Sequence, residues 1–145
     1  MLGRRELSEK QVRQRLARKE YEQDDIDEAV ARLRQERAIN DQRVAEAIAR
    51  TETVIRKRGK VRVRIQLERA GIAKDTAKQA IDDVFEGIDS DALLEASLRK
   101  RLRGREKIAD DREFQRLFRY LVGQGFESDR VMQVLRAKRT RGRVL

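Results

Sequence analysis

The sequence repeats one pattern three times without a gap. The stretch that begins at Val12 returns 51 positions later at Val63 and 105 positions later at Leu117, and apolar and acidic residues follow it at matching distances in each copy. A tandem repeat constrains the fold more than any single segment, because every copy must form the same unit and bury its apolar face against a neighbour.

Each copy has the pattern of two helices joined by a tight turn. Apolar residues three or four positions apart indicate the helices, and Gly71 and Gly125 stand between them in the second and third copies, where a left-handed residue ends a helix. Asp75 and Asp129 then fall in the first turn of the next helix, where exposed amides favour a negative charge. Glu20 takes the place of the glycine in the first copy, so we expect that turn to be looser or closed differently.

A further helix follows each of the first two pairs. Asn40-Asp41 and Asp89 are typical helix-starting residues, and an apolar stripe follows each of them. The stripes consist of Val44, Ile48, Thr51 and Ile55 in the first helix and of Leu94, Leu98 and Leu102 in the second. The third pair has no such continuation, because the sequence after Leu135 lacks a stripe and is typical of a basic tail.

These patterns predict an all-α fold. The absence of proline agrees with a nearly all-helical chain of about eight helices. We expect three tandem three-helix repeats of helix–turn–helix type in a curved modular stack, with the last repeat truncated to two helices. The predicted segments are a first repeat over 1–58, a second over 59–107, a third over 108–138 and a basic tail over 139–145.

One segment has a conflicting pattern. Residues 61–67 alternate between apolar and polar side chains and are rich in β-branched residues, which is typical of a half-buried strand. The repeat nevertheless aligns this segment with the helix at Val12, so we expect a helix there. Only Val63 and Leu67 then need to lie in the core, and Val61 and Ile65 remain partly exposed.

The basic excess of the chain is local. The sequence has 36 Lys and Arg against 26 Asp and Glu, a net charge of +10. Residues 1–97 carry 21 basic against 20 acidic residues, whereas residues 98–145 carry 15 against 6, and acidic residues gather within 20–28. A local excess of this kind favours polyanions or acidic protein surfaces as partners.

The composition leaves little room for enzyme chemistry. Without His and Cys the chain lacks the commonest general base, the thiol nucleophile and the usual zinc and iron ligands, so we expect no catalytic residue, cofactor or metal. The acidic residues within 82–91 lack the spacing of a calcium loop, and residues 123–125 lack the rest of a phosphate loop. No apolar run approaches a membrane span or a secretory signal, so we expect a cytoplasmic protein.

Two basic runs are the candidate contacts for a partner. They could neutralise phosphate without an evident base-reading element, and aromatic residues for stacking on single strands are scarce. The candidate residues are Arg56, Arg58, Lys60, Arg62 and Arg64 in the first run and Arg99, Lys100, Arg101, Arg103 and Arg105 in the second. Any contact with DNA is therefore expected to be independent of sequence.

In the order and spacing of its motifs, the chain resembles the RecX regulators of the bacterial RecA recombinase. Residues 39–45, Ile-Asn-Asp-Gln-Arg-Val-Ala, are similar to the family's Leu-Asp-Asp-x-Arg-Phe-Ala stretch. Residues 59–72, from a Gly through Arg-Val to Gly-Ile, are similar to the family's central helix, and Gly125-Phe126 with Asp129 and Val131 resembles its third repeat. The resemblance covers about residues 8–137.

This resemblance implies a curved, modular helical protein that binds within the groove of the RecA–DNA filament. It implies restraint of the filament's ATPase, strand-exchange and co-protease activities by occupancy, without a catalytic residue. The implied partners are the RecA filament and, through it, single- or double-stranded DNA. Because a three-repeat stack needs no second copy, we expect a monomer.

Two other functions stay open on the residues alone. One is a stand-alone basic helical module that binds nucleic acid without acting on a recombinase. The other is a structural helical adaptor for an unrelated protein partner, which would bind DNA only weakly.

Overall fold

The computed structural model describes residues 6–139, and this part of the chain is helical. The helices are α1 (Glu9–Arg18), α2 (Gln23–Gln35), α3 (Asp41–Arg50), α4 (Lys60–Arg69), α5 (Lys74–Glu86), α6 (Ser90–Leu102), α7 (Asp111–Gly123) and α8 (Ser128–Ala137). A π-helical turn, Thr51–Ile55, continues α3. The predicted all-α class is confirmed. None of these helices is long and apolar enough to cross a membrane.

Polar side chains fix the starts of several helices. As predicted, Asn40 and Asp89 stand at the beginning of α3 and α6, where their side-chain oxygens accept hydrogen bonds from the backbone amides of Arg43 at 3.0 Å and Asp91 at 2.9 Å. Ser8 caps α1 in a reciprocal capping box. Each cap satisfies amides that have no partner within the helix.

The turn inside each helix pair has the same backbone geometry. Glu20, Gly71 and Gly125 have φ angles of 66°, 81° and 100°. In each turn the following amide donates to the carbonyl five residues earlier, over 3.4 Å in the first pair, 3.1 Å in the second and 3.2 Å in the third. Of the two alternatives predicted for the first turn, a different closure is wrong, because Glu20 adopts the left-handed conformation there. The turn is slightly looser, since its hydrogen bond is the longest of the three.

The alternating segment at 61–67 forms part of α4, as the repeat predicted. Val63 and Leu67 are fully buried, whereas Val61 and Ile65 are half-buried. Tertiary packing within the repeat thus overrides the local strand pattern.

Three apolar cores hold the helices together, and they group the helices differently from the predicted segments. Helices α3, α4 and α5 share a middle core, and α6, α7 and α8 share a C-terminal core. Helices α1 and α2 form a smaller core with Ile39 from the connection to α3. The helix that follows a pair in sequence therefore packs against the next pair, whereas the segments 1–58 and 59–107 place it with the preceding one.

Small side chains explain why α3 packs against α5. Ala45 and Ala49 on α3 and Ala77 and Ala80 on α5 are all buried. Such residues let two helix backbones approach closely, and the α3–α5 contact is the most extensive helix–helix contact in the described chain. Helical periodicity indicates that α3 has an apolar face, but it does not indicate which pair that face covers.

A backbone contact joins the middle and C-terminal cores. The amide of Gly59 donates to the carbonyl of Gln124 at 2.9 Å, and the amide of Val61 donates to the carbonyl of Gly125 at 3.0 Å. A Cβ atom on Gly125 would lie 2.5 Å from the backbone nitrogen of Arg62. Glycine at position 125 thus serves both the left-handed turn and this close approach.

The N-terminal unit is attached to the middle core through the start of α1. The buried hydroxyl of Ser8 donates to the carbonyl of Ala70 at the end of α4. The amide of Glu9 donates to the carboxylate of Asp41 at 2.9 Å. Ser8 therefore caps its own helix and links two units.

The π turn changes which side chains face the core after α3. Glu52 and Thr53 are buried, whereas Thr51 and Ile55 are exposed. The predicted apolar stripe is therefore right for its first half and wrong for Thr51 and Ile55. A π turn contains an extra residue, which rotates the following side chains around the helix axis.

The C-terminal helix continues past Leu135, after which a basic tail was predicted. Helix α8 ends at Ala137, and Arg139 forms a single parallel bridge with Ile108. Positions 140–145 of the predicted basic tail lie outside the described residues.

Replacing Gly125 by Ala is expected to lower the free energy of unfolding by about 2 kcal/mol or more, because the methyl group would strain the turn and press against α4. Gly123 has open space around it, so Gly123→Ala is the matched control and should leave stability unchanged or raise it. Urea unfolding followed by circular dichroism measures both variants. Equal losses of stability in the two variants would contradict the role of Gly125 in the backbone contact between the middle and C-terminal cores.

Replacing Glu20 by Gly is expected to raise the free energy of unfolding by about 0.5–1 kcal/mol, because glycine adopts a positive φ without the steric cost of a side chain. The same change at the exposed Glu68 within α4 should instead lower it by about 1 kcal/mol. The two variants can be compared by the same urea titration. A loss of stability in Glu20→Gly would show that the glutamate side chain itself stabilises the turn.

Candidate partner-binding surface

The first basic run lies where the π turn meets α4, and most of its side chains are engaged within the protein. The guanidinium groups of Arg56 and Arg58 lie 3.1 and 3.2 Å from the carboxylate of Glu52. The ammonium group of Lys60 lies 5.2 Å from the centre of the Phe85 ring. These side chains help to hold the segment in place.

The last two members of this run differ in accessibility. Arg62 is half-buried beside the α7–α8 turn, and its Nε atom is buried without a hydrogen-bond partner. Arg64 is exposed on α4 and forms no ion pair within residues 6–139. Arg64 is therefore the member of the first run that is most accessible to a partner.

The second basic run occupies the last turn of α6 and the loop that follows. Arg99, Lys100, Arg101 and Arg103 are exposed. The guanidinium carbon of Arg101 lies 3.6 Å from the centre of the Tyr120 ring, a stacked arrangement that fixes its position and keeps the charge. This run therefore presents more accessible charge than the first.

Arg105 differs from the rest of the second run because it anchors the loop. Its guanidinium group donates two hydrogen bonds to Glu113, one of them 2.9 Å long, and the amide of Ala109 donates to the same carboxylate at 2.9 Å. The bond from Arg105, followed by that from Ala109, lowers the pKa of Glu113 to about 2. The same bond raises the pKa of Arg105. This pair fixes the loop to the first turn of α7.

The end of α8 lies beside the second run. The amide of Ile108 donates to the carbonyl of Lys138 at 2.8 Å. A depression of about 520 Å³ is present at this place, and its basic lining residues are Arg99, Arg105, Lys107 and Lys138. The fold thus brings residues 99–107 and 136–139 together into one surface, which we call the basic end.

The two basic runs form separate patches. Lys60 lines a small cavity with Asp91 and Leu94 near the start of α6, whereas the second run begins at the end of that helix. Helix α6 has 13 residues, which corresponds to a length of roughly 20 Å. The first run therefore lies beside the start of α6 and the second run at its end.

The acidic residues within 20–28 lie on the α1–α2 unit and are exposed. Asp27 is 2.6 Å from Arg13, and the hydrogen bond from this arginine lowers the pKa of Asp27. The unit therefore presents an acidic surface at the turn between its helices, while the basic end belongs to the C-terminal core.

Two features of this region were not predicted from the sequence. Glu52 is a buried counter-ion for two of the proposed contact residues, and its spacing of four from Arg56 was an available signal for one of these pairs. Val54 and Ile55 are exposed because of the π turn, and no local residue pattern indicates such a turn. Within residues 6–139, no group of three acidic side chains is placed to hold a metal ion.

Family models of RecX match the chain in two parts. The model of the first three-helix domain matches residues 1–33, and the model of the second three-helix domain matches residues 40–81. Together they match more than half of the chain. The second match begins at the cap of α3 and reaches into α5, so it covers helices that share the middle core.

Individual relatives match nearly the whole chain. The regulatory protein RecX of Syntrophotalea carbinolica is 31% identical over 140 residues, which cover 96% of this chain and 92% of that protein. The regulatory protein RecX of Halorhodospira halophila is 32% identical over 132 residues, which cover 90% and 79%. The crystal structure of RecX from Lactobacillus salivarius shares the fold, with a TM-score of 0.69 at 23% identity over 90% of this chain and 86% of that one. By these family models and relatives, the chain belongs to the RecX family of regulatory proteins.

Proposed function

We propose that this protein is an inhibitory regulator of the RecA recombinase, which binds in the groove of the RecA–DNA filament. It would restrain the ATPase, strand-exchange and co-protease activities of the filament. The observation that carries this proposal is the match to regulatory RecX proteins over nearly the whole chain. Such a protein acts in the cytoplasm, in DNA repair by homologous recombination and in the SOS response.

The arrangement of the cores supports binding to a long partner. Three small cores in series give an extended surface, and such surfaces bind by many modest contacts. The backbone bonds between Gly59 and the α7–α8 turn fix the middle core against the C-terminal one. In this proposal a single copy of the protein inhibits by occupying the groove, and no catalytic group takes part.

The ten basic residues of the two runs remain the proposed contacts, but their roles differ. Arg56, Arg58, Lys60, Arg62 and Arg105 are engaged in or buried against the protein itself. The side chains that are exposed and form no ion pair within residues 6–139 would supply most of the electrostatic affinity, because they can replace counterions on phosphate. These are Arg64, Arg99, Lys100, Arg101 and Arg103.

A stand-alone nucleic-acid-binding module is the second candidate function. It is favoured by the basic end, where the second run and the end of α8 meet around one depression. Such a module would bind bare DNA tightly and would act on a recombinase only by competing for its DNA.

Adding the protein to active RecA filaments on single-stranded DNA is expected to lower the rate of ATP hydrolysis at less than one copy per RecA protomer. The matched control is an unrelated DNA-dependent ATPase on the same DNA, which should keep its rate. Equal inhibition of both enzymes would favour the nucleic-acid-binding module. An unchanged RecA rate at saturating protein would refute the proposed function.

Reversing two charges at the basic end tests the proposed contacts. Arg99→Glu together with Lys100→Glu should weaken filament binding by about tenfold or more. The slope of log affinity against log salt concentration should become shallower by about 2, because each phosphate contact that is lost accounts for about 1 unit of this slope. Arg18→Glu with Lys19→Glu makes the same charge change at the end of α1 and should have little effect. Fluorescence anisotropy across a salt series measures both, and similar slopes for the two double variants would contradict the assignment.

A further inference from the structure

Two adjacent apolar side chains project from the π turn. Ile55 is 71% exposed and Val54 is 46% exposed, and Tyr21 is the one other large apolar residue in the described chain with comparable exposure. In the same turn, Glu52 and Thr53 are buried. The turn thus reverses the usual preference for apolar residues inside and polar residues outside.

The buried side of this turn is poorly satisfied. Within residues 6–139, the buried side-chain polar atoms that lack a hydrogen bond belong to Glu52, Thr53, Arg58 and Arg62. Arg58 lies within ion-pair distance of Glu52, but the angle is not that of a hydrogen bond. Unsatisfied buried groups destabilise a fold, and π turns inside helices are frequent at functional sites. Val54 and Ile55 therefore face solvent even though the unsatisfied polar groups on the buried side of the turn lower the stability of the fold.

The turn is also held in one conformation. The carboxylate of Glu52 accepts a hydrogen bond from Arg56 at 3.1 Å, and its backbone carbonyl accepts one from the amide of Arg58 at 2.9 Å. Lys57 closes the turn in the left-handed region with a φ of 58°. These bonds position the two apolar side chains before any partner binds, which lowers the entropy lost on binding.

A groove adjoins the turn and shares residues with it. Its volume is about 430 Å³, and Thr51, Glu52 and Arg56 belong to both features. Ala47 and Ile48 give the groove apolar walls, and Arg69 adds a second basic group. Two carboxylates also line the groove, and each is paired with an arginine: Glu6 with Arg43 and Glu52 with Arg56. Exposed apolar side chains beside a groove with apolar walls and an arginine that has no ion pair in the described chain form a surface suited to a protein segment.

We propose that Val54, Ile55 and the adjoining groove form a docking site for an apolar segment that carries carboxylates on the surface of the recombinase. The proposal rests on the proposed function and adds to it a protein contact distinct from the basic end. The chemistry of the occupant follows from the site. The two side chains and the groove walls favour an apolar counterpart, and the exposed Lys57 and Arg69, which form no ion pair within residues 6–139, favour acidic neighbours.

Two other occupants fit less well. Single-stranded nucleic acid stacks its bases on aromatic rings, and Val54 and Ile55 have none. A second copy in symmetric contact would bring Arg56 and Lys57 close to their own counterparts, and like charges at an interface oppose association.

Ile55→Asp and the uncharged Ile55→Ser test the site by their affinity for RecA filaments. Both variants are expected to weaken binding and inhibition, because an apolar anchor is lost. The affinity of Ile55→Asp should fall by about tenfold or more relative to wild type, because its carboxylate also faces the carboxylates of the partner. Tyr21→Ser is the matched control, since it removes the other exposed large side chain and should keep full affinity. Urea unfolding, binding to bare DNA and sedimentation velocity should be unchanged in all three variants.

The outcomes separate this inference from the proposed function. If both Ile55 variants inhibit the recombinase as strongly as the wild-type protein, the docking site is overturned and the proposed function stands. If the Ile55 variants lose bare-DNA binding to the same extent as filament binding, the patch binds nucleic acid and the proposal is overturned. If the wild-type protein forms a concentration-dependent dimer that Ile55→Asp dissociates, the patch binds a second copy and the proposal is likewise overturned. A wild-type protein without effect on the recombinase refutes the proposed function and this occupant together.

Discussion

Every core in the C-terminal two-thirds of this molecule depends on a helix pair acquiring a third helix from the preceding connection. Helices of 10 to 13 residues are too short to be stable alone and bury little apolar surface in pairs. Helix α3 covers the α4–α5 pair, and α6 covers the α7–α8 pair. Because α3 and α6 pack within the unit that follows them, each of these cores contains its own covering helix, and the middle and C-terminal cores are joined by the chain and by the backbone contact of Gly59 with Gln124.

This dependence places a geometrical demand on the chain after α3. Ala49 is fixed by packing in the middle core, and Gly59 is fixed by its hydrogen bond to the α7–α8 turn. The chain between these two points has to join them with a set number of residues. A π turn accommodates one residue more than an α-helical turn does, and the cost is that Glu52 faces inward and Ile55 faces solvent. The exposed patch thus lies in the connection between the two cores.

The sequence was informative where one residue type has one physical role. The repeat predicted the helix pairs, Gly71 and Gly125 the left-handed turns, and Asn40 and Asp89 the helix starts. It was less informative where the outcome depends on tertiary contacts. Periodicity shows that α3 has an apolar face but not its partner. The π turn lies between Ala49 and Gly59, whose contacts are with residues distant in sequence. The ion pairs of Arg105 and Arg58 likewise depend on loops whose course local patterns do not specify.

The two basic runs therefore offer less accessible charge for binding than their number of basic residues suggests. Arg58 and Arg105 offset carboxylates within the protein, and Lys60 lies over an aromatic ring. Apart from Arg64 on α4, the charge that remains accessible is concentrated at the end of α6 and in the loop that follows, whereas the exposed apolar pair lies in the π turn. Exposed charges act over distance and are screened by salt, whereas an apolar contact requires matching shape and is independent of salt. A partner that satisfies both must present acidic groups or phosphate together with an apolar segment, which a bare polyanion cannot do and a protein–DNA filament can.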